Sequence, residues 1–323
     1  MGFWQISADT LANGRFVVSP LAEAIATLKA LERGTAAHPG ERAWLDAHLP
    51  AYRARLAADP VTALLIRAAL GPTWNADFLT PTPTGEDSSF EEELASIRET
   101  PPGQAREDLT VSLGGPLPPA LHRSDLPERL AGHVEWVWRE SVLPYWPRRR
   151  RVIEADVVAR TARLSRGGWA AALDGLRPGM RWLGDGRLRI NAYDHPPRDL
   201  SGARLMFVPV TPRQGWVSWD DSDRSAVVYP CSGTLAGVPA EPPEALGRLL
   251  GDARAGVLVL LDSPKSTTQL VALTGQGLGS VGRHLKVLLD ARLVGRRRSG
   301  RSVLYYRTET GDVLVRAQTA ETG

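Results

Sequence analysis

The sequence predicts an α+β protein, with a mixed α/β domain over residues 1–239 and a smaller helical domain ending in a hairpin over residues 240–323. Three observations lead there. Apolar residues recur at helical spacing through much of the first 173 residues, then alternate as strands do between 182 and 229. Residues 230–243, PCSGTLAGVPAEPP, hold little that packs and mark the boundary. Beyond it, short helical stretches, a glycine-containing turn and an arginine-rich hairpin follow closely. A chain of 323 residues is long enough for two such units.

In chain order, residues 3–18 predict a hairpin, with strands 3–6 and 15–18 around an Asn13-Gly14 turn. Pro20 suits the first turn of a helix that carries Leu21, Ile25, Leu28 and Leu31 at helical spacing. Helices are expected again over 41–56 and 60–70. Residues 71–127 are proline-rich and weakly periodic, with one helix at 90–98 and an irregular, mobile stretch over 80–89. Helical periodicity returns over 128–173, interrupted at Pro144 and Pro147, with Ile153, Val157 and Leu164 as its buried face. Strands are expected at 187–191, 205–210, 215–219 and 226–229. All ten tryptophans lie between Trp4 and Trp219. They either wall a pocket for a flat or cationic ligand or serve as core and anchoring residues.

Composition excludes several classes. A hydrophobic content of 43% with 23% charged residues is that of a globular chain, not a disordered one. The longest apolar runs, such as 257–261, are too short to span a bilayer, so no membrane partner is expected. The start MGFWQISADT lacks the basic-then-apolar order of a signal peptide, and a cytoplasmic location is the expectation. A single cysteine, Cys231, excludes an intramolecular disulfide and an all-cysteine metal site. The six histidines (38, 48, 122, 133, 195, 284) show no metal-ligand spacing, so neither metal nor cofactor is expected.

Charge is unevenly placed. Net charge is only +3, yet seven Lys/Arg stand against one acid, Asp290, between Arg283 and Arg301. A slightly acidic body with a compact basic end is the asymmetry expected of a nucleic-acid reader. In that end, helices are expected at 243–250 with Leu246, Leu249 and Leu250 on one side, and after an Asp252 N-cap with Val257, Leu258, Leu260 and Leu261 inward. A helix over 267–273 would bury Leu270 and Leu273, and Gly275 would end it at positive φ. The next helix, 278–291, buries Val281, Leu285, Leu288 and Leu289. Its other side presents Leu278, Gly279, Ser280, Gly282, Arg283 and Lys286, with His284 towards one edge. This is the layout of a winged helix-turn-helix, whose second helix enters the major groove of double-stranded DNA. Arg283 matches guanine O6 and N7, and Ser280 a base or phosphate. The glycines permit close approach although each costs about 1 kcal/mol of helix propensity. Strands 294–298 and 302–307 form the wing, placing Arg296, Arg297, Arg298 and Arg301 against phosphates or the minor groove.

The run TGQGLGSVGRHLKVLLDARLVGRRRSGRSVLYYR resembles the ArsR/SmtB-type winged helix-turn-helix of bacterial transcriptional repressors. The resemblance rests on S-V-x-R-H-L-K-x-L from Ser280, A-R-L-V at Ala291 in place of the usual A-G-L-V, and R-x-G-R-x-x-x-Y-Y from Arg298. Upstream, L-G-D-x-R followed by V-L-V-L-L is similar to that family's opening helix. It covers the C-terminal quarter of the chain. The larger N-terminal region is similar to that of certain actinobacterial regulators of this type. The resemblance implies a homodimer that represses transcription and releases DNA when an effector binds. Metal-sensing members carry a cysteine pair on the first helix of the reading pair. The stretch 267–273 has none, which removes that site.

Other readings compete. Gly277-Leu-Gly279-Ser-Val-Gly282 is literally G-x-G-x-x-G, but it needs a preceding strand and a longer following chain. The arginine run 148–151 is by default a solvated helix face, with a contact to DNA or an acidic partner as the alternative. The run 219–223, WDDSD, is a polar turn between strands sooner than a calcium loop, since it lacks the distal glutamate. Cys231 with His133 or His195 as base would be a nucleophile pair, although a lone cysteine is more commonly a small buried apolar residue. The expectation is therefore a DNA-binding regulator and not an enzyme. The alternative is a protein-interaction module, or an enzyme-derived N-terminal domain, with an accessory winged helix. A small-molecule effector of residues 1–239 and a dimer contact there are both left open.

Overall fold

The computed structural model describes residues 2–36, 39–85, 88–173, 175–191, 197–220, 223–231, 242–261, 264–299 and 302–319. The chain mixes helix and sheet. Strand β1 (Phe3–Gln5) is followed by helix α1 (Ala8–Ala12), and β2 (Arg15–Phe16) joins a different sheet, so the expected 3–18 hairpin does not form. Ser7 decides this. Its hydroxyl accepts the Thr10 N–H at 3.1 Å and starts a helix. Asn13 ends that helix and does not turn a hairpin.

A helical body follows: α2 (Pro20–Arg33), α3 (Pro39–Ala58), α4 (Pro60–Ala69), α5 (Phe90–Arg98), α6 (Pro102–Leu113) and α7 (Leu126–Val137). Leu21, Ile25, Leu28 and Leu31 are all buried on α2, as their spacing requires. Helix α6 was not expected, and its inward face explains why. Ala105, Asp108, Leu109 and Ser112 share that face, so half of it is polar and carries no apolar period. Both polar members are satisfied: Asp108 accepts the Phe78 N–H at 2.9 Å, and Ser112 donates to the Ala68 carbonyl at 2.6 Å. The described part of 80–89 holds neither helix nor strand before Ser89 caps α5. A π turn (Trp138–Val142) and a 3-10 turn (Leu143–Tyr145) carry the chain past Pro144 into α8 (Trp146–Leu173), where Pro147 sits harmlessly in the first turn. On α8 Ile153 is fully buried, whereas Val157 and Leu164 are only half-buried.

Two four-stranded sheets lie beside this body. One has the order β3 (Arg181–Gly184), β4 (Arg187–Arg189), β1, β5 (Arg198–Asp199). The other runs β2, β6 (Arg204–Val210), β8 (Arg224–Pro230), β7 (Trp216–Trp219). The two-residue period of β6 and β8 feeds two cores at once. Met206, Val208, Val210, Ala226 and Val228 face the helical body. Leu205, Phe207, Val227 and Tyr229 face the other way, onto Trp4, Ile6, Leu188 and Ile190. Being buried on both faces, this parallel pair reads as near-continuous apolar sequence.

Arg149 corrects the solvated reading of 148–151. Its guanidinium is buried, donating at 2.7 Å to Glu23, at 2.8 Å to Thr27 and at 3.0 Å to the Ser141 carbonyl. Glu23, wholly buried, also accepts from the Thr211 N–H and hydroxyl. One ion pair thus joins α2, α8 and the end of β6.

The rest of the chain comprises α9 (Glu244–Leu250), α10 (Asp252–Leu260), β9 (Lys265–Ser266), α11 (Thr267–Thr274), α12 (Leu278–Asp290), β10 (Val294–Ser299), β11 (Ser302–Arg307) and α13 (Glu309–Thr319). Val257, Leu258, Leu270, Val281, Leu285 and Leu288 build its core, which also takes in Val152 of α8 and Cys231. Two expectations need correction. Leu249 is 64% exposed and does not share the buried side of Leu246. Gly251, at φ 81°, occupies the N-cap position given to Asp252, which is instead the first helical residue. Among the described residues no helix is long and apolar enough to cross a membrane.

Candidate nucleic-acid interface

The candidate surface is built on α11, α12 and the β10–β11 hairpin. Ser266 and Gln269 start α11 with reciprocal bonds: the Gln269 N–H donates to Ser266 Oγ at 3.2 Å, and the Ser266 N–H to Gln269 Oε1 at 2.8 Å. Gly275 ends α11 at φ 68°, where a side chain is disfavoured. Gly277 is the extended N-cap of α12. Because α11 is helical, the G-x-G-x-x-G run has no strand before it, which removes its dinucleotide reading.

Helix α12 buries Val281, Leu285 and Leu288, with Leu289 packed beside them. Successive residues turn by about 100° in a helix, which puts Gly279, Gly282, Arg283 and Lys286 away from that seam. All four are exposed, and Leu278 at the start of the helix is 63% exposed. Ser280 and His284 are half-buried at the edge. Ser280 donates to Gln276 Oε1 at 3.0 Å and lies 3.2 Å from His284 Nε2. Burial, then the nearby Arg254 and Arg283 cations, lowers the His284 pKa, so its ring is neutral at neutral pH. Sequence reading missed both neighbours of this edge: Arg254 comes from α10, whose contacts with α12 helix spacing does not reveal, and Gln276 from the turn just before α12.

Gly279 and Gly282 have no structural task inside the protein. A Cβ built on either meets nothing within 4 Å, and neither has a positive φ. Gly295 is the contrary case, since a Cβ there would lie 2.6 Å from the Tyr306 ring across the hairpin. Just past the Ala291 C-cap of α12, Arg292 takes a left-handed φ of 57°.

Strands β10 and β11 pair from Val294↔Arg307 to Ser299↔Ser302, and β11 also pairs with β9 through Leu304↔Ser266. The hairpin is thereby hydrogen-bonded to the residue that caps α11. Arg296, Arg297 and Arg298 are exposed along β10. Arg301 and the Gly300 turn lie outside the described residues. The structure thus brings Gly279, Gly282, Arg283 and Lys286 onto one helix face, and places the three described arginines on a hairpin tied to the same unit.

Cys231 is buried, its N–H donating to the Val210 carbonyl at 2.8 Å. His133 packs elsewhere, against Tyr52 and Trp136, and His195 lies outside the described residues. Among the described residues no three His, Cys, Asp or Glu side chains gather as a metal site would need. Comparison with protein-family models, with curated proteins and with solved structures finds no match to this chain.

Proposed function

We propose that the chain is a sequence-specific DNA-binding transcriptional regulator, a repressor, whose C-terminal unit is a winged helix-turn-helix. The observation that carries this reading is the outer face of α12. Two glycines stand exposed there, each costing about 1 kcal/mol of helix propensity, and nothing inside the protein requires them. A backbone stripped of side chains beside Arg283 and Lys286 suits close approach to base edges, as in the major groove. The exposed β10 arginines would supply the phosphate contacts in this reading.

In this reading Arg283, with Gly279, Ser280, Gly282 and Lys286, meets the groove, and Leu278 and His284 flank it. Arg296, Arg297, Arg298 and Arg301 contact the backbone. A dimer would set two copies of α12 about one helical turn apart on a palindromic operator. We assign the twofold contact to α9 and α13, which pack together and leave Leu249 and Val313 64% and 56% exposed.

Two substitutions test the reading on a mapped operator. Arg283→Ala is expected to cost about 1–3 kcal/mol of discrimination at one base step. Arg298→Ala should weaken all duplexes alike and flatten the salt dependence. Unchanged binding by Arg283→Ala would place the contact elsewhere.

A further inference from the structure

Away from the DNA face, an open cavity of about 650 Å³ lies between α2, the connection from α4 to α5, the stretch after α8 and the turn from β6 to β7. Its wall is cationic: Lys29 and Arg33 come from α2, Arg177 from the stretch after α8, and Arg213 from the β6–β7 turn. Among the described residues one acid, Asp77, lies in that wall, and it accepts the Trp74 indole N–H at 3.0 Å. Lys29 donates to Asn75 Oδ1 at 3.1 Å, and its Nζ sits 5.3 Å from the centre of the Trp216 ring. Arg177 is the informative member. Its Nη1 is buried and has no hydrogen-bond partner. A buried guanidinium nitrogen without an acceptor in the chain, facing a cavity with three further cations in its wall, is suited to completion by an anionic acceptor from outside.

We propose that this cavity is a binding site for a small organic anion, a carboxylate or phosphate carried on a flat apolar body. The anionic head accepts from Arg177 Nη1 and from Lys29, with Arg33 and Arg213 at the mouth, and the flat body lies against Trp74 and Trp216. The protonation of Lys29 fits. Its pKa is lowered to about 8, by burial first and then by Arg177 and Arg33, while Asp77 is the opposing charge among the described wall residues. An anion bound there draws a proton onto the amine. The site does not depend on the DNA reading and is tested without DNA.

The test is isothermal titration of the full chain with benzoate, phenyl phosphate, inorganic phosphate and benzyl alcohol. At least one aromatic anion is expected to bind at one site per chain, with benzyl alcohol about tenfold weaker or worse, the scale of a lost charge-assisted hydrogen bond. Arg177→Gln should weaken the anion by about tenfold, and the exposed Arg33→Gln, which leaves the core untouched, by a smaller factor. Titrations near pH 8 in buffers of different ionisation enthalpy should show proton uptake on binding. Equal binding of the alcohol, no binding of either aromatic anion, or unchanged affinity in both variants would overturn the proposal. Inorganic phosphate binding as tightly as phenyl phosphate would overturn the assigned ligand class.

Discussion

Gly279 and Gly282 sit in regular helix with open space where a Cβ would stand, so alanine at either position meets no clash within the protein. Each change to alanine is expected to stabilise α12 by about 1 kcal/mol, the difference in helix propensity. Unfolding entropy is about 2.1 cal/mol/K per residue, so over 323 residues each substitution raises Tm by about 1.5 °C if the chain melts as one unit. DNA binding should move the other way. On the proposed groove-facing side, a methyl group would hold the helix off the base edges. The loss is about 1–3 kcal/mol, roughly 5- to 150-fold in Kd. Circular dichroism melts and fluorescence anisotropy on operator DNA at fixed salt measure the two effects on the same samples. Higher stability with undiminished binding in both variants would refute the reasoning, because the glycines would then serve no contact.

Other expectations concern the body. Arg149→Met leaves the Glu23 carboxylate buried without its cation and should cost about 3–5 kcal/mol in urea unfolding, with most of it recovered in the Glu23→Gln, Arg149→Met double variant. No recovery would mean that the pair does not act as a unit. Burial raises the Glu93 carboxyl to about 7, outweighing the bonds it accepts from the Leu21 N–H and the Ser19 hydroxyl. Between the ordinary 4.5 and about 7 the folded state keeps a proton that the unfolded chain has released, so this group's contribution falls as pH rises. His133 runs oppositely: burial, aided by Arg55, lowers it to about 4, so between 6.5 and about 4 stability falls as pH drops. Glu93→Gln should therefore remove the alkaline loss and leave the acid loss exposed, read as urea midpoints from about pH 5 to about pH 8. A profile parallel to that of the unaltered chain would contradict it. Arg292→Gly should add about 1 kcal/mol by relieving the left-handed backbone, and a lower Tm would show that the arginine side chain holds the helix end.

Elements whose signal is local were legible in the sequence. Helix α2 followed from Pro20 and its leucine seam, α5 was placed to the residue, and α11, α12 and the hairpin lie where glycine and apolar spacing put them. Strands β6, β7 and β8 were found by composition, but not which of them pair in parallel. What failed depended on partners distant in sequence. Asn13-Gly14 carries a hairpin signal, yet β1 takes β4 and β5 as neighbours and β2 takes β6. Helix α6 turns Asp108 and Ser112 inward because Phe78 and Ala68 supply their bonds. Arg149 sits in a run of four arginines, and only the fold sends it to Glu23. At the candidate interface the face of α12 was readable from helical period alone. The cations Lys29, Arg33, Arg177 and Arg213 come from separate segments, and no spacing in the sequence announces their meeting.

Binding of the full chain to the DNA upstream of its own gene, against a scrambled duplex of equal length and across a salt series, tests the regulatory reading most directly. The expected result is tighter binding to the upstream fragment, with log affinity falling against log salt by about 0.9 for each phosphate neutralised by the β10 arginines and their dimer mates. Weak binding, equal for both duplexes and insensitive to salt, would contradict a DNA-reading role for α12 and the hairpin.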